Sequence, residues 1–433
     1  MFFVVSCNTK PNNEINNKQF KEYAVKMSKT ELEEVNYGNE EYNAFLNDIQ
    51  KFSLKLSSEL YKEDETGTNI VVSPISIYMA LAMAAEAASE ESREEILDAI
   101  GISYEDMLNF TKYLYAESND EYLEYGRFDN KVTSGFEDLN NSIWIDNNVS
   151  LKENTLETLA NEYYASTFKV PFTSNSKEAG EVLSKYIKEA TRGLIDRDFE
   201  FSNETIFAIV NTYYLKDIWN KYGKDLNFGS DIYNFVNYDN SVNPVKLLQG
   251  YYFNGKPYVT ESYRYAATFT ENGFKLKFIV PNDGYSIDDV FTSDNLETIN
   301  LINNYLSIDD ERKEINHTRC FFPEFEANYN QDVKSTLADK FGIKSIFDSS
   351  TANLSNLVDG KAYINEVIHQ TKLIVNRKGI EGAAITVSPT AGDPGPGPYI
   401  NVYHDFIIDR AFGFIITDNK DTVLFSGVIR NVE

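Results

Sequence analysis

The chain has 433 residues, 42% of them hydrophobic, and carries 40 Lys and Arg against 67 Asp and Glu for a formal charge of -27. That length can bury one large core or two to three ordinary ones, while the charge repels phosphate backbones and anionic membranes and removes nucleic acid from the expected partners. Its two cysteines, Cys7 and Cys320, show no CxxC or Cys/His spacing, which excludes a disulfide framework and a structural zinc site; no metal or cofactor is expected, and packing must hold the fold.

In chain order, residues 1–7 read MFFVVSC, with Val4, Val5 and Ser6 ahead of Cys7 in the order of a lipobox. On that reading they are a truncated bacterial lipoprotein signal: Cys7 is lipidated, and the protein is extracellular or held at the cell-envelope surface by a membrane tether. The charged n-region and most of the h-region are missing, so an accidental apolar start is the alternative. Residues 8–41, headed by NTKPNNEINNK, are polar and read as a tether of low order. No other run approaches the roughly 20 apolar residues of a membrane span.

The spacing of apolar residues in FLNDIQKFSLKLSSELY predicts a core helix over 42–61, and a second helix starts at Pro74 with Ser73 placed as its cap. NSIWIDNN alternates like a strand, and LKENTLETLANEYY is helical. TIFAIVNTYYLK, KLKFIVP, AYINEVIHQTKLIVN and DTVLFSGVI then read as long apolar strands. Helices gather early and strands late, an order that predicts an α+β fold with large, mostly antiparallel sheets.

Catalytic motifs are missing. The only histidines are His317, His369 and His404, none in a hydrolase motif, and GxSxG, HExxH and GxxxxGK[ST] do not occur. PGPGPY near the end supplies glycines, but its prolines remove the amide donors that a phosphate cradle needs. No enzyme activity is expected.

Four segments in order, NIVVSPISIYMAL (69–81), TIFAIVNTYYLKDIW (205–219), VIHQTKLIVNRKGIEGAAIT (367–386) and DRAFGFIITDNKDTVLFSGVIRN (409–431), resemble the serpin family. The likeness runs from about Phe45 to Val432 and includes the strand start at Pro323 and LADKFGIKSIF from Leu337. It implies one domain over 42–433, built of three β-sheets and eight to nine helices, with an exposed reactive loop at about 377–402. The implied function is that of a suicide-substrate inhibitor. A serine or cysteine endopeptidase cleaves the loop, which inserts into the central sheet with the protease still covalently attached. A serpin-fold binding protein without inhibitory activity is the alternative.

The resemblance makes Arg377, Lys378, Gly379, Ile380, Glu381, Gly382, Ala383, Ala384, Ile385 and Thr386 the hinge of the loop. As an inserted strand, Ile380, Gly382, Ala384, Thr386 and Ser388 would face the core while Glu381, Ala383, Ile385 and Val387 would face away. The one charge therefore falls outside, and the inward residues other than Ile380 are small. Ile380 stands where inhibitors usually carry Thr or Ser, and Pro389 lacks an amide donor. Counting forward from Gly379 brings the reactive bond to Asp393 and counting back from Phe412 brings it to Ile400, so Thr390, Ala391, Gly392, Asp393, Tyr399 and Ile400 are all candidates; the Thr390 to Gly392 side is favoured, with an elastase-like or subtilisin-like target. Ser73, Ser76, Asn211 and His369 match the family's shutter, a buried polar cluster under the strands that part. Trp219, Glu324 and Arg377 match the breach, where insertion begins, with Glu324 and Arg377 expected to form an ion pair of exchanged sign. A monomer is expected, with loop-sheet polymers if the sheet opens early.

Overall fold

The periodic segment 42–61 lies within a helix two residues longer at its far end, α1 (Asn39–Glu63). It is followed by α2 (Pro74–Ala87), α3 (Glu90–Ile100), α4 (Tyr104–Glu117), α5 (Glu153–Glu162), α6 (Ser176–Ala190), α7 (Ile287–Val290), α8 (Ser293–Leu301) and α9 (Lys334–Phe341). The computed structural model describes residues 20–29, 39–125, 131–219, 225–302, 308–309, 312–381 and 400–432. Every residue of α2 is buried, as its apolar circumference demands. Side chains at the ends of other helices capture free amides: Ser103 accepts from Asp106 at α4, Asn175 from Glu178 at α6 and Thr292 from Asn295 at α8.

Three sheets complete the α+β fold. The largest runs β1 (Ala24–Lys26), β5 (Ala165–Val170), β4 (Lys131–Asp146), β6 (Phe207–Ile218), β17 (Gly379–Glu381), β16 (Thr371–Asn376), β14 (Phe325–Tyr329), with β3 (Asn119–Tyr125) on β4 and β15 (Glu366–Ile368) on β6. The second runs β2 (Ile70–Val72), β20 (Val423–Ile429), β19 (Phe412–Thr417), β11 (Lys275–Pro281), β10 (Tyr263–Phe269), β9 (Tyr258–Val259). The third is β12 (Ile308–Asp309), β13 (Glu314–Phe322), β8 (Val242–Asn254), β7 (Phe228–Val236), with β18 (Ile400–Ile407) parallel to β13.

Both faces of the large sheet are covered, which explains why β6 reads as a near-continuous apolar run. Ile209, Tyr213 and Leu215 of β6 face the main core with α1, α2 and the second sheet, whereas Ala208 and Val210 face a smaller core that holds Trp144, Phe168 and the Leu183 and Tyr186 side chains of α6. Among the described residues no helix is long and apolar enough to cross a membrane.

The N-terminal segment departs from expectation. Residues 20–29 lie within the stretch read as a loosely ordered tether, yet they add an edge strand to the large sheet: β1 pairs with β5, Ala24 opposite Phe168 and Lys26 opposite Thr167. The Phe20 ring is 2% exposed and meets Phe168 and Tyr186 edge-on at 6.5 and 5.6 Å. Tyr23 donates its hydroxyl to Glu178 of α6 at 3.1 Å, and Lys26 pairs with Glu153 of α5 at 3.0 Å. Polar neighbours dilute the apolar signal of Phe20, Tyr23, Ala24 and Met27 below what periodicity can detect, whereas an open strand edge and an aromatic pocket supply it in space.

Candidate functional site

The segment that reads as one strand, AYINEVIHQTKLIVN, is split in two around His369 and Gln370. Its lower half, β15, runs parallel to β6 with Glu366, Val367 and Ile368 opposite Ala208, Ile209 and Val210. Its upper half, β16, bonds to β14 and β17 instead. At the top, β17 fills the space between β6 and β16: Gly379, Ile380 and Glu381 face Ile218, Asp217 and Lys216 on one side and Asn376, Val375 and Ile374 on the other. Between these two closures, among the described residues, no strand pairs with the β16-facing edge of Asn211 to Leu215. The large sheet therefore has a slot, zipped below and started above.

The upper closure is held by short polar contacts. The Glu324 carboxylate accepts the main-chain amide of Arg377 at 2.8 Å, while the Arg377 guanidinium turns away and pairs with Asp225 at 3.0 Å. The expected Glu324–Arg377 ion pair is thus an amide–carboxylate bond, because Asp225, brought in by the chain after β6, takes the guanidinium. Leu226 donates its amide to the Arg377 carbonyl, and Lys378 donates its amide to the Asn376 side chain. Trp219, 1% exposed, donates its indole N–H to the Asn376 carbonyl at 2.6 Å and packs on Phe322 at 5.6 Å. A Cβ at Gly379 would stand 1.8 Å from the Asp217 carbonyl oxygen, so only glycine passes there. Ile380 is 1% exposed. Glu381 points to the other face, where the Tyr214 hydroxyl donates to it at 3.1 Å and Lys216 pairs with it at 3.3 Å.

At the lower closure, Ser73, Ser76, Asn211 and His369 are all buried. Ser73 stands at the N-cap position of α2 but makes no side-chain cap bond; its hydroxyl accepts from Ser76 at 3.1 Å. The Ser73 main-chain amide donates to His369 Nε2 at 3.2 Å, and the Thr371 hydroxyl lies 2.9 Å from the same nitrogen. Burial pulls the His369 imidazole down to about 3, so it is neutral at physiological pH. Asn211 donates to Asn141 at 2.6 Å, and its own side-chain oxygen is buried without a partner. Asn211 and His369 are not hydrogen-bonded to each other. A serine and a histidine meet here, but through the serine amide in a dry interior, an arrangement that cannot activate a nucleophile.

The sequence profile described as "Serpin (serine protease inhibitor)" matches residues 47–432. The chain belongs to the serpin family. Rat alpha-1-antiproteinase (Rattus norvegicus) is 24% identical over 398 residues, which covers 90% of this chain and 89% of the rat protein. Among solved structures, the native state of the thermophilic serpin tengpin superposes with a TM-score of 0.70 at 23% identity, covering 94% of this chain and 98% of tengpin. Thyroxine-binding globulin in complex with thyroxine superposes with a TM-score of 0.67 at 18% identity, covering 90% of this chain and 99% of that one. The three sheets and the helices around them are the serpin fold.

Of the residues expected to form the hinge, Arg377 to Glu381 are described, whereas Gly382, Ala383, Ala384, Ile385 and Thr386 lie outside the described residues, as do Cys7 and the reactive-bond candidates Thr390, Ala391, Gly392, Asp393 and Tyr399. Ile400 opens β18: its amide donates to the Lys313 carbonyl at 2.8 Å and it stands opposite Glu314, so the bond that follows it is tied into a ladder. His317 and His404 lie on the third sheet, bonded to Asn401 and Asn316. Cys320 is a buried free thiol on β13 that donates to the Ala267 carbonyl at 3.2 Å, and burial pushes its thiol pKa well up. Among the described residues no cluster of three metal-ligating side chains occurs. Asp217, Asp225 and Asn376 also build the site and were not singled out from the sequence; only the adjacency of Asp217 to the Trp219 motif could have drawn attention to it.

Proposed function

We propose that this serpin inhibits endopeptidases as a suicide substrate. The observation that carries the reading is the slot itself, already started by Gly379–Glu381 and continued in sequence by small residues of the right parity. Extending the β17 register sets Gly382 opposite Leu215 and Leu373, Ala383 opposite Tyr214 and Lys372, Ala384 opposite Tyr213 and Thr371, and Thr386 opposite Asn211 and His369. Ile380, Gly382, Ala384 and Thr386 then share the core-facing side with Leu215 and Tyr213.

The covalent step belongs to the protease. Its serine or cysteine attacks a loop carbonyl, the peptide C–N bond breaks, and the new amino terminus leaves as an amine while the loop remains acylated to the enzyme. Freed at one end, the loop zips downward. The five residues from Gly382 to Thr386 can make about ten ladder bonds at roughly 1 kcal/mol each, on the order of 10 kcal/mol in all. Val387 would meet Val210, which Ile368 already occupies. Further insertion exchanges the β15 ladder for the loop and requires the Ser73–His369 contact to part.

The reactive bond is placed on the Thr390 to Gly392 side, since small residues there suit an elastase-like or subtilisin-like protease and the backbone beyond is stiffened by proline. The protein acts as a monomer, and lipidation of Cys7 would hold it at the cell-envelope surface. A non-inhibitory binding role is favoured by one observation, the bulky Ile380 seated where a small polar residue is usual. Incubation with a panel of serine and cysteine proteases, followed by a denaturing gel, separates the two. A complex that survives SDS supports trapping; cleavage without complex and without a rise in melting temperature supports the binding role.

A further inference from the structure

Asp217 stands directly opposite Ile380 across the β6–β17 pair. Strand pairing puts both side chains on the core-facing side, with Leu215 and Trp219 as neighbours along β6. Only 1% of Asp217 is exposed. Four donors converge on its carboxylate: the Ile218 amide at 2.8 Å, the Asn272 side chain at 2.5 Å, the Asn272 amide at 3.3 Å and the Thr270 hydroxyl. Thr270 and Asn272 belong to the turn between β10 and β11, which also donates the Glu271 amide to the Ile218 carbonyl at 3.0 Å. Asp217 therefore pins the end of β6 to the second sheet at the point where the hinge crosses it. Glycines close in on both sides, since a Cβ at Gly135 of β4 would stand 3.4 Å from Asp217 Oδ1 and one at Gly379 would strike the Asp217 carbonyl.

The charged groups around Asp217 are engaged elsewhere. Lys216 and Glu381 lie on the opposite face and pair with each other. Glu137 of β4, one row lower on the same face, accepts the Tyr213 hydroxyl. Lys275 at the start of β11 pairs with Asp421 at 2.6 Å, and Glu271 in the turn contributes its amide as described. Among the described residues no cation is a partner of the Asp217 carboxylate, and Ile380 stands opposite it on the same face of the sheet.

We propose that Asp217 is a positioning residue for the hinge: pinned by the β10–β11 turn, it sets the site that Ile380 fills, and seating of the hinge is coupled to uptake of one proton by its carboxyl. Burial under Ile380 pushes that carboxyl up to about 8 against the pull of its four donors. Withdrawal of the hinge admits water and returns the carboxyl toward the ordinary carboxylate range. The seated state thus binds the extra proton, so seating is strongest at low pH, weakens as pH rises toward about 8, and levels off above it. This inference rests on Gly379–Glu381 acting as a hinge, as in the proposed function, but needs no protease to be tested.

Hydrogen exchange of the Ile380 and Glu381 amides, measured on the full chain from pH 5 to 9 and corrected for the intrinsic rate, reads the coupling. Protection is expected to fall by up to about tenfold per pH unit and to flatten near pH 8. Asp217→Asn keeps an acceptor for the Ile218 amide and should remove the slope. Asn272→Ala deletes one donor, the side-chain amide, and should move the break to higher pH, a readout that does not depend on Asp217→Asn folding. A flat parent profile, an Asp217→Asn slope equal to the parent's, or an Asn272→Ala break that does not move would each overturn the coupling. Absence of an SDS-stable complex would remove the inhibitory reading and leave these profiles standing.

Discussion

Glutamate at position 384 should abolish trapping, whereas glutamate at position 383 should largely preserve it. If the loop inserts in the register of β17, Ala384 would come between Tyr213 and Thr371 on the core-facing side, where those two residues are 9% and 6% exposed. Glu137, which accepts the Tyr213 hydroxyl on that face, is itself acidic and offers an added carboxylate no counter-charge. Inserted in the same register, Ala383 would fall on the other face, opposite half-buried Lys372. An unpaired carboxylate driven into the inward position costs on the order of 3–5 kcal/mol, as when a buried ion pair loses one member. That does not cancel an insertion gain on the order of 10 kcal/mol. Trapping is nevertheless a race against deacylation, and every ~1.4 kcal/mol added to the insertion barrier slows it tenfold. A penalty of about 3 kcal/mol therefore slows insertion on the order of a hundredfold, and the protease hydrolyses the acyl bond first. Complex yield on a denaturing gel and the melting temperature of the cleaved protein measure this directly. Equal complex yields from Ala384→Glu and Ala383→Glu would refute the register and the slot together.

Three further outcomes are expected. Phe20→Ala removes a buried ring worth about 3–5 kcal/mol in a well-packed core, comparable to what can hold a ten-residue segment, so residues 24–28 should lose exchange protection while the rest of the large sheet keeps its own; unchanged protection would mean that the ring is not the anchor. Arg377→Ala breaks a half-exposed pair with Asp225 and should cost under about 1 kcal/mol, whereas Glu324→Ala orphans the Arg377 amide and should raise hinge exchange more; the reverse order would return the guanidinium to the role expected from the sequence. For His369, the folded pKa of about 3 lies below the ordinary value of 6.5, so the unfolded chain binds the extra proton. Its contribution is fully present above about pH 6.5 and is lost as pH falls toward 3. Melting curves from pH 7 to 4 should show a shallower loss for His369→Gln than for the parent, and parallel losses would count against a neutral buried imidazole.

Local pattern carried a large part of this molecule. Apolar spacing marked α1 and α2, long apolar runs marked β6, β11 and β20, alternation marked the end of β4, and the order of four motifs implied the serpin fold and its hinge. The parity of Ile380 and Glu381 was legible as well, because a strand alternates sides whatever it pairs with. Tertiary structure decided the rest. The division of one apolar run into β15 and β16 at His369 depends on which neighbour each half bonds, and that choice is what leaves the slot. Arg377 offers its amide rather than its guanidinium to Glu324 because Asp225, more than 150 residues earlier, arrives beside it. Phe20 is buried by Phe168 and Tyr186, and Asp217 by a turn of another sheet. Periodicity and capping are properties of neighbours in the chain; burial, partner choice and the protonation of a carboxyl are set by residues that only folding brings together.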